Sequence, residues 1–206
     1  MVMQFIKLTG LAFIAMMAFA GCAGKAVHMQ VVPKEQAAYA PTQEEALMVF
    51  MRPSGMAYAI QSSLFEIVDE KPELVGIVAA KKKIAYKSKP GKHLFMVVGE
   101  SADFMEADVE AGKVYLSVVR PRMGAWKARF SLDPVHRNEY DAKPADFNKW
   151  LDDCEWVANT PESHQWAKEN SPSILAKYTK YYNVWKEKKE KPLLVKEDGL
   201  DIGVSN

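Results

Sequence analysis

The sequence predicts a mainly β protein, an antiparallel β-sandwich of seven or eight strands followed by a small α-helical annex. Short runs of β-forming residues recur between positions 46 and 135, separated by turn residues about every 8 to 12 positions. Helical spacing does not interrupt these runs, which argues against alternating β and α units. Beyond about residue 135, apolar residues instead follow helical spacing. Because hydrophobic residues make up 49% of the chain, a globular core is expected.

Turn residues define the predicted strands of a domain over 45–136. Proline presets φ for a turn and glycine accepts positive φ, as in Arg52-Pro53-Ser54-Gly55 and Lys89-Pro90-Gly91-Lys92. The last run alternates, with Trp126, Ala128, Phe130 and Leu132 expected on a buried face. The eight predicted strands cover 46–51, 58–68, 74–80, 84–87, 93–98, 104–109, 114–119 and 125–132.

The N-terminus carries a targeting signal. Lys7 precedes an apolar run of about 12 residues, which is too short to span a bilayer. The following Phe19-Ala20-Gly21-Cys22 resembles the lipobox of bacterial lipoproteins, in which the cysteine is lipidated and becomes the first mature residue. The resemblance implies a signal peptide over 1–21 and a covalent acyl anchor, such as palmitate, on Cys22, with no other cofactor. The alternative is ordinary cleavage at Ala18-Phe19-Ala20, which would release a soluble periplasmic protein.

The residues after Cys22 bear on location and reach. Ala23 rather than aspartate follows the cysteine, and by resemblance to Gram-negative sorting rules this implies the periplasmic face of the outer membrane. The segment 22–44 contains Pro33 and Pro41 without sustained periodicity, so we expect a lipidated flexible tether. As a coil, it would span roughly 25 Å. The run 29–32 could add an edge strand.

Three motifs resemble a known family. They are Arg52-Pro53-Ser54-Gly55 with the preceding 46–51, then 89–93 (Lys-Pro-Gly-Lys-His), then 110–116 (Glu-Ala-Gly-Lys-Val-Tyr-Leu). In this order they are similar to a family of uncharacterised bacterial lipoproteins that share a small prealbumin-like β-sandwich. The resemblance covers about 90 residues. It implies a prealbumin- or Ig-like fold and an envelope location, and it carries no catalytic residues over.

A helical annex is predicted over 144–191. Pro144 suits a first helical turn, and helical spacing continues through Phe147, Trp150, Leu151, Cys154 and Val157. Thr160-Pro161 and Ser171-Pro172 indicate further helix starts. The last helix has an apolar stripe that could pack on the sandwich or bind a partner or membrane surface; it comprises Ile174, Leu175, Tyr178, Tyr182 and Trp185. A loose tail is expected over 192–206.

Composition and motifs favour a non-catalytic binding or assembly module. After removal of Lys7 with the signal, 26 basic and 26 acidic residues remain, which argues against nucleic acid as a partner. The sequence contains no zinc-protease, nucleophile-elbow or phosphate-loop motif, and its four histidines lack metal-pair spacing. Abundant acidic residues leave a carboxylate-dependent cell-wall or glycan hydrolase as the alternative. Cys154 is expected to be a small buried hydrophobe, with a reactive thiol as the alternative.

Strand parity predicts a candidate site. In an antiparallel meander the first, third and seventh strands finish at the same end. Loops at that end would present arginine and lysine to an anionic partner, such as a wall-peptide carboxylate, a lipid headgroup or an acidic protein patch. The alternative is a set of scattered, solvated charges at strand ends. The candidate residues are Arg52, Lys81, Lys82, Lys83, Arg120 and Arg122.

Overall fold

Two β-sheets face each other across a common core, and helices cover their outer surfaces. The computed structural model describes residues 27–33, 36, 38–122, 129–202 and 204–205. The strands are β1 (Met29–Val31), β2 (Ala38–Tyr39), β3 (Ala46–Arg52), β4 (Ser62–Val68), β5 (Lys71–Val78), β6 (Lys82–Ser88), β7 (Gly91–Val98), β8 (Ala102–Val109), β9 (Val114–Arg122), β10 (Arg129–Pro134), β11 (Glu155–Asn159), β12 (Leu193–Leu194) and β13 (Val204–Ser205). The helices are α1 (Arg137–Ala142), α2 (Pro144–Asp153), α3 (Pro161–Glu169) and α4 (Ser171–Trp185).

Both large sheets are mixed, so the expectation of purely antiparallel sheets is wrong. The first sheet has the order β1-β11-β6-β3-β9-β10, and the second has the order β12-β8-β7-β4-β5. The pairs β3–β9, β11–β6 and β12–β8 are parallel. Parallel pairing needs a crossover connection, and here the chain passes through the second sheet between β3 and β9. Strands β2 and β13 form a separate two-stranded sheet.

Strand β3 lies at the centre of the molecule and is buried on both faces. Met48 and Phe50 point into the core between the sheets, together with Phe95 from β7. Leu47 and Val49 point to the opposite face, where α2 covers the first sheet. A strand buried on both faces reads as a continuous apolar run rather than an alternating one, which explains the sequence of 46–51.

All eight predicted strands occur, as β3 to β10, with two differences. Residues 58–61 belong to a loop, because β4 begins only at Ser62. Residues 125–128 of the eighth run lie outside the described part of the chain. Within β10, Phe130 and Leu132 are buried in the core as the alternation predicts. The mainly β character of the chain is therefore correct.

The helix predicted to continue through Val157 is wrong. Helix α2 ends at Asp153, and β11 then joins the first sheet beside β6. In β11, Val157 faces the core between the sheets, whereas Trp156 faces the outer cluster under α2. Short apolar runs fit a helix and a strand equally well, and here sheet pairing decides between them. Helix α3 is capped by Thr160 as expected.

Both terminal segments are more integrated than the sequence indicates. Strand β1 pairs with β11, so the segment predicted as a tether over 22–44 joins the sheet from Met29. The segment predicted as a loose tail over 192–206 contributes β12, and Leu194 and Leu200 are buried. Helix α4 packs its stripe on the outer face of the second sheet, around Phe104.

Candidate functional site

The predicted basic residues lie at one end of the two sheets. Strands β3 and β9 run parallel, so Arg52, the last residue of β3, and Arg120, near the end of β9, lie on the same side. Strand β6 is antiparallel to β3, and Lys82 pairs directly with Arg52. The backbone N–H of Lys81 donates to the Arg52 carbonyl at 2.8 Å. We call this side of the molecule the Arg52 end, defined by Arg52, Lys82 and Arg120.

Arg52 itself is fully buried and cannot contact a partner. Its guanidinium donates to the carbonyl oxygens of Ile60 at 2.6 Å, Met56 at 2.8 Å and Ala57 at 2.7 Å. The guanidinium carbon also lies 4.8 Å from the centre of the Phe130 ring. Burial lowers the pKa of Arg52 to about 10, so the group remains charged at neutral pH. Its role is to hold the loop between β3 and β4.

Lys82 and Lys83 are also buried and have partners inside the protein. The Lys82 ammonium pairs with Glu155, at the start of β11. The Lys83 ammonium donates to the Leu151 carbonyl at the end of α2 and lies 4.4 Å from the centre of the Trp156 ring. Together with Arg52, three of the six predicted residues therefore support the fold rather than a ligand.

Of the remaining three basic residues, Arg120 and Arg122 are exposed and Lys81 is half-buried, and each has a carboxylate partner. Arg120 Nε donates to Asp133 at 2.6 Å, and Arg122 Nη2 reaches the same carboxylate at 3.1 Å. Lys81 lies 3.6 Å from Asp153. Because Arg120 and Arg122 share one carboxylate and are about half exposed, a net positive charge faces solvent there. Arg120 and Arg122 are therefore the residues of the predicted site that an anionic partner can contact.

Arg120 also borders a cleft between the first sheet and the helices α1 and α2. The cleft has a volume of about 580 Å³, with Val118, Phe147 and Trp150 among its apolar lining. The Phe147 and Trp150 rings meet edge to face at 5.1 Å. Both signs of charge occur in the lining, from Arg120, Asp133, Glu139, Lys143 and Asp146. An apolar pocket with a few convergent polar groups is the usual form of a binding site.

A second cluster of titratable groups lies near the opposite end, between the two sheets. The carboxylate of Glu66 accepts hydrogen bonds from His93 Nδ1 and from the Tyr86 hydroxyl. The other ring nitrogen of His93 lies 2.7 Å from the Lys89 carbonyl. The hydroxyl of Ser88 lies 3.2 Å and 3.3 Å from the two ring nitrogens.

Hydrogen bonding fixes the charge states in this cluster. The hydrogen bond to Glu66 raises the pKa of His93 against the opposing effect of burial. Burial favours neutral Glu66, but the hydrogen bonds from His93 and Tyr86 outweigh it and lower the pKa of Glu66. Burial and the bond to Glu66 raise the pKa of Tyr86. Nδ1 of His93 faces a carboxylate and Nε2 faces a carbonyl, and this pair of acceptors favours the imidazolium form.

The residue types Ser88, His93 and Glu66 are those of a hydrolytic triad, but their arrangement is different. In a triad, Nε2 of a neutral histidine accepts the serine proton. Here Nε2 faces the Lys89 carbonyl, and the Ser88 hydroxyl is nearly equidistant from both nitrogens. This geometry provides no free base for Ser88, so we interpret Glu66 and His93 as a structural ion pair.

A carboxylate-dependent glycosidase relies on one of its carboxyl groups as an acid. Such an acid needs a raised pKa. Hydrogen bonds lower the pKa of four described carboxyl groups. The donor is Lys149 for Asp153, Lys113 for Asp201 and Thr160 for Glu162, whereas His93 and Tyr86 donate to Glu66. The described residues contain no group of three or more His, Cys, Asp or Glu side chains suited to a metal ion.

One of the two cysteines, Cys154, lies within the described residues. Cys22, with the whole signal segment, lies outside the described residues. Cys154 is 1% exposed, and burial raises the pKa of its thiol to about 11. Cys154 thus behaves as a small hydrophobe in the cluster under α2. None of the helices that the structure describes is long and apolar enough to cross a bilayer.

The sequence did not reveal three parts of this arrangement. The cleft forms only when α1 and α2 pack on β9 and β10. Glu66 and His93 are 27 residues apart, although a glutamate within the apolar run 62–68 was a signal of a buried acid. Part of the loop between β3 and β4, residues 58–61, has the sequence pattern of a strand.

Comparisons of the chain with models of protein families and with curated proteins find no match.

Proposed function

We propose that this chain is an envelope lipoprotein, anchored through Cys22 to the periplasmic face of the bacterial outer membrane, whose folded body is a non-catalytic binding module. The anchor is supported by Phe19-Ala20-Gly21-Cys22 after an apolar run of signal-peptide length. We also propose that the two packed sheets form the prealbumin-like sandwich implied by the family resemblance. The connection of β3 to β4 across the two sheets supports this topology.

The cleft beside α1 and α2 carries the binding proposal. Its aromatic side chains, Phe147 and Trp150, offer apolar surface, while Arg120 and Lys143 offer positive charge. Arginine presents a planar fork that matches a carboxylate. Asp133, Glu139 and Asp146 line the cleft as well, so the positive charge is local to Arg120 and Lys143. At these two residues the proposed partner places a carboxylate, from an acidic protein segment or a wall peptide, and nucleic acid is disfavoured by the balanced net charge.

Two measurements on the same protein test this proposal. A fatty-acid probe should label the wild-type chain and should not label Cys22→Ser. Protein extracted from labelled cells should retain an envelope protein or peptidoglycan fragments, and Lys143→Glu should weaken that retention about tenfold by placing a negative charge at the cleft. Lys180→Glu, an exposed change of the same charge on α4, is the matched control.

Three results would count against the proposal. Absence of label on wild-type protein, with a mature N-terminus at Gly21, would mean ordinary secretion instead of an anchor. Equal retention by Lys143→Glu and Lys180→Glu would remove the cleft as the binding site. Release of dye from labelled peptidoglycan by the purified protein would favour the hydrolase alternative.

A further inference from the structure

The loop over 53–61, between β3 and β4, exposes large apolar side chains at the Arg52 end. Met56 is 52% exposed, Tyr58 is 62% exposed and Ile60 is 42% exposed. These three account for a third of the nine large exposed hydrophobic residues in the described chain, yet they lie within five consecutive positions. Scattered single apolar residues are normal on a protein surface, whereas a concentrated set indicates an interaction site.

The guanidinium of buried Arg52 fixes the backbone of this loop. Its guanidinium binds the carbonyl oxygens of Met56, Ala57 and Ile60, so the loop backbone turns its acceptors inward. The loop backbone closes on itself as well, since the N–H of Ile60 donates to the Ala57 carbonyl at 2.9 Å. The apolar side chains are thus presented outward on a backbone that is fixed in place.

The first described residues place the N-terminal segment next to this loop. Val27 and His28 line a groove of about 160 Å³ together with Gln61, the residue after Ile60. Cys22 precedes Val27 by five residues, and five extended residues span at most about 18 Å. An acyl chain on Cys22 would therefore hold Val27, which lies beside the Gln61 end of the loop, within about 18 Å of the bilayer. The full tether predicted from sequence would span roughly 25 Å.

The charge at the Arg52 end also suits a bilayer surface. Arg120 and Arg122 are half exposed and share the single carboxylate of Asp133, which leaves one positive charge in excess. Anionic headgroups attract such cations at short range. Tyrosine, with an apolar ring and a polar tip, is one of the residues that bilayer interfaces favour, and Tyr58 is the most exposed of the three apolar side chains.

We propose that the loop over 53–61 is a second membrane contact, in which Met56, Tyr58 and Ile60 enter the interface of the bilayer that holds the Cys22 anchor. This inference rests on the proposed lipid anchor. The acyl chains supply most of the attachment, and the loop fixes the orientation of the body. With the Arg52 end against the bilayer, the hairpin between β4 and β5 points away from it.

A dye-quenching experiment tests this contact on the complete mature lipoprotein. Tyr58→Cys is labelled with a polarity-sensitive dye and reconstituted into vesicles of phosphatidylethanolamine and phosphatidylglycerol. Brominated lipids should quench the dye about twofold and its emission should shift to the blue. Val68→Cys is the matched control, because Val68 is an exposed apolar residue at the far end of β4. Its dye should remain unquenched, and buried Cys154 should take no label.

The outcomes separate the loop from the anchor. Mass spectrometry of the same sample shows whether Cys22 carries lipid, and a lipid-free chain overturns the anchor and the loop contact together. A lipidated chain whose dye at position 58 is quenched no more than the dye at 68 overturns the loop contact alone. A blue shift that needs added envelope protein and not lipid would assign the loop to a protein partner instead. Met56→Ser with Ile60→Ser should halve the quenching.

Discussion

At the scale of single residues, buried charge in this protein is satisfied by groups of the protein itself, from a neighbouring loop for Arg52 and from distant parts of the sequence for Lys83 and Glu66. Arg52 has backbone carbonyl oxygens as acceptors, Lys83 has a helix-end carbonyl and an aromatic ring, and Glu66 has a histidine and a tyrosine. A buried charge without such partners would be costly. Half of the basic residues that the sequence predicts as a ligand site, namely Arg52, Lys82 and Lys83, are thus buried and support the fold.

The ion pair of Glu66 and His93 predicts a pH-dependent contribution to stability. The pKa of His93 is raised above its ordinary value of 6.5. The contribution of His93 to stability is therefore complete below pH 6.5 and is lost as pH rises through the folded pKa. The pKa of Glu66 is lowered from 4.5, so its share is present above pH 4.5 and is lost as pH falls through the folded pKa. The pair therefore stabilises most between those two pH values.

Glu66→Gln tests this directly. Near pH 6 the variant should lose about 1–3 kcal/mol of unfolding free energy, because His93 loses its charged partner. Urea unfolding followed from about pH 6 to about pH 8.5 should show wild-type stability falling more steeply than that of the variant. His164→Gln, on the exposed side of α3, should keep the wild-type slope. Parallel pH profiles for wild type and Glu66→Gln would contradict the assignment.

At the scale of elements, the sequence was most informative where turn residues frame short runs. Proline or glycine marks the turns after β3, β6 and β8, because proline fixes φ for a turn and glycine accepts positive φ. Pro72 and Pro121 lie within β5 and β9 instead. The strand β11 escaped prediction because Cys154 and Val157 continue the apolar spacing of α2. Residues 155–159 form a strand because they pair with the edge of β6, and the local sequence pattern contains no information about that edge.

Helix α4 shows how an amphipathic stripe found in sequence becomes packing. Tyr178 and Trp185 are buried against Phe104, and the Trp185 ring lies 5.5 Å from the Phe104 ring. Leu175 remains exposed at the border of a groove with the hairpin of β4 and β5. Of the two interpretations of this helix, packing on the sheet accounts for its aromatic residues.

A pair of neighbouring residues tests the packing of α4. Trp185→Ala removes a ring that is 2% exposed and should cost about 3–5 kcal/mol of unfolding free energy. Val184→Ala, at a position that is 70% exposed, should change stability by less than about 0.5 kcal/mol. Chemical denaturation of both variants measures the difference. If the two lose equally little, α4 does not depend on contact with the second sheet.

At the scale of the whole molecule, the candidate cleft and the closure of the fold depend on long-range contacts. The cleft needs α1 and α2 to lie on β9 and β10, and Asp198 near the C-terminus ties α1 down by accepting from Arg137 N at 2.9 Å and His136 Nδ1 at 3.0 Å. Sequence patterns give the elements but not these contacts. The lipid anchor is the opposite case, because its signal is local and the sequence alone predicts it.

The C-terminal segment provides a test at this scale, since a loose tail and a docked strand respond differently to mutation. Leu194 is fully buried between the sheets, whereas its neighbour Leu193 is 38% exposed. Leu194→Ala should therefore cost about 2–5 kcal/mol of unfolding free energy. Leu193→Ala should change stability by less than about 0.5 kcal/mol. Denaturation curves of Leu194→Ala and Leu193→Ala measure the difference. If the tail does not dock, both variants should be as stable as wild type. A docked strand would separate the two, because only Leu194 leaves a cavity beside β8.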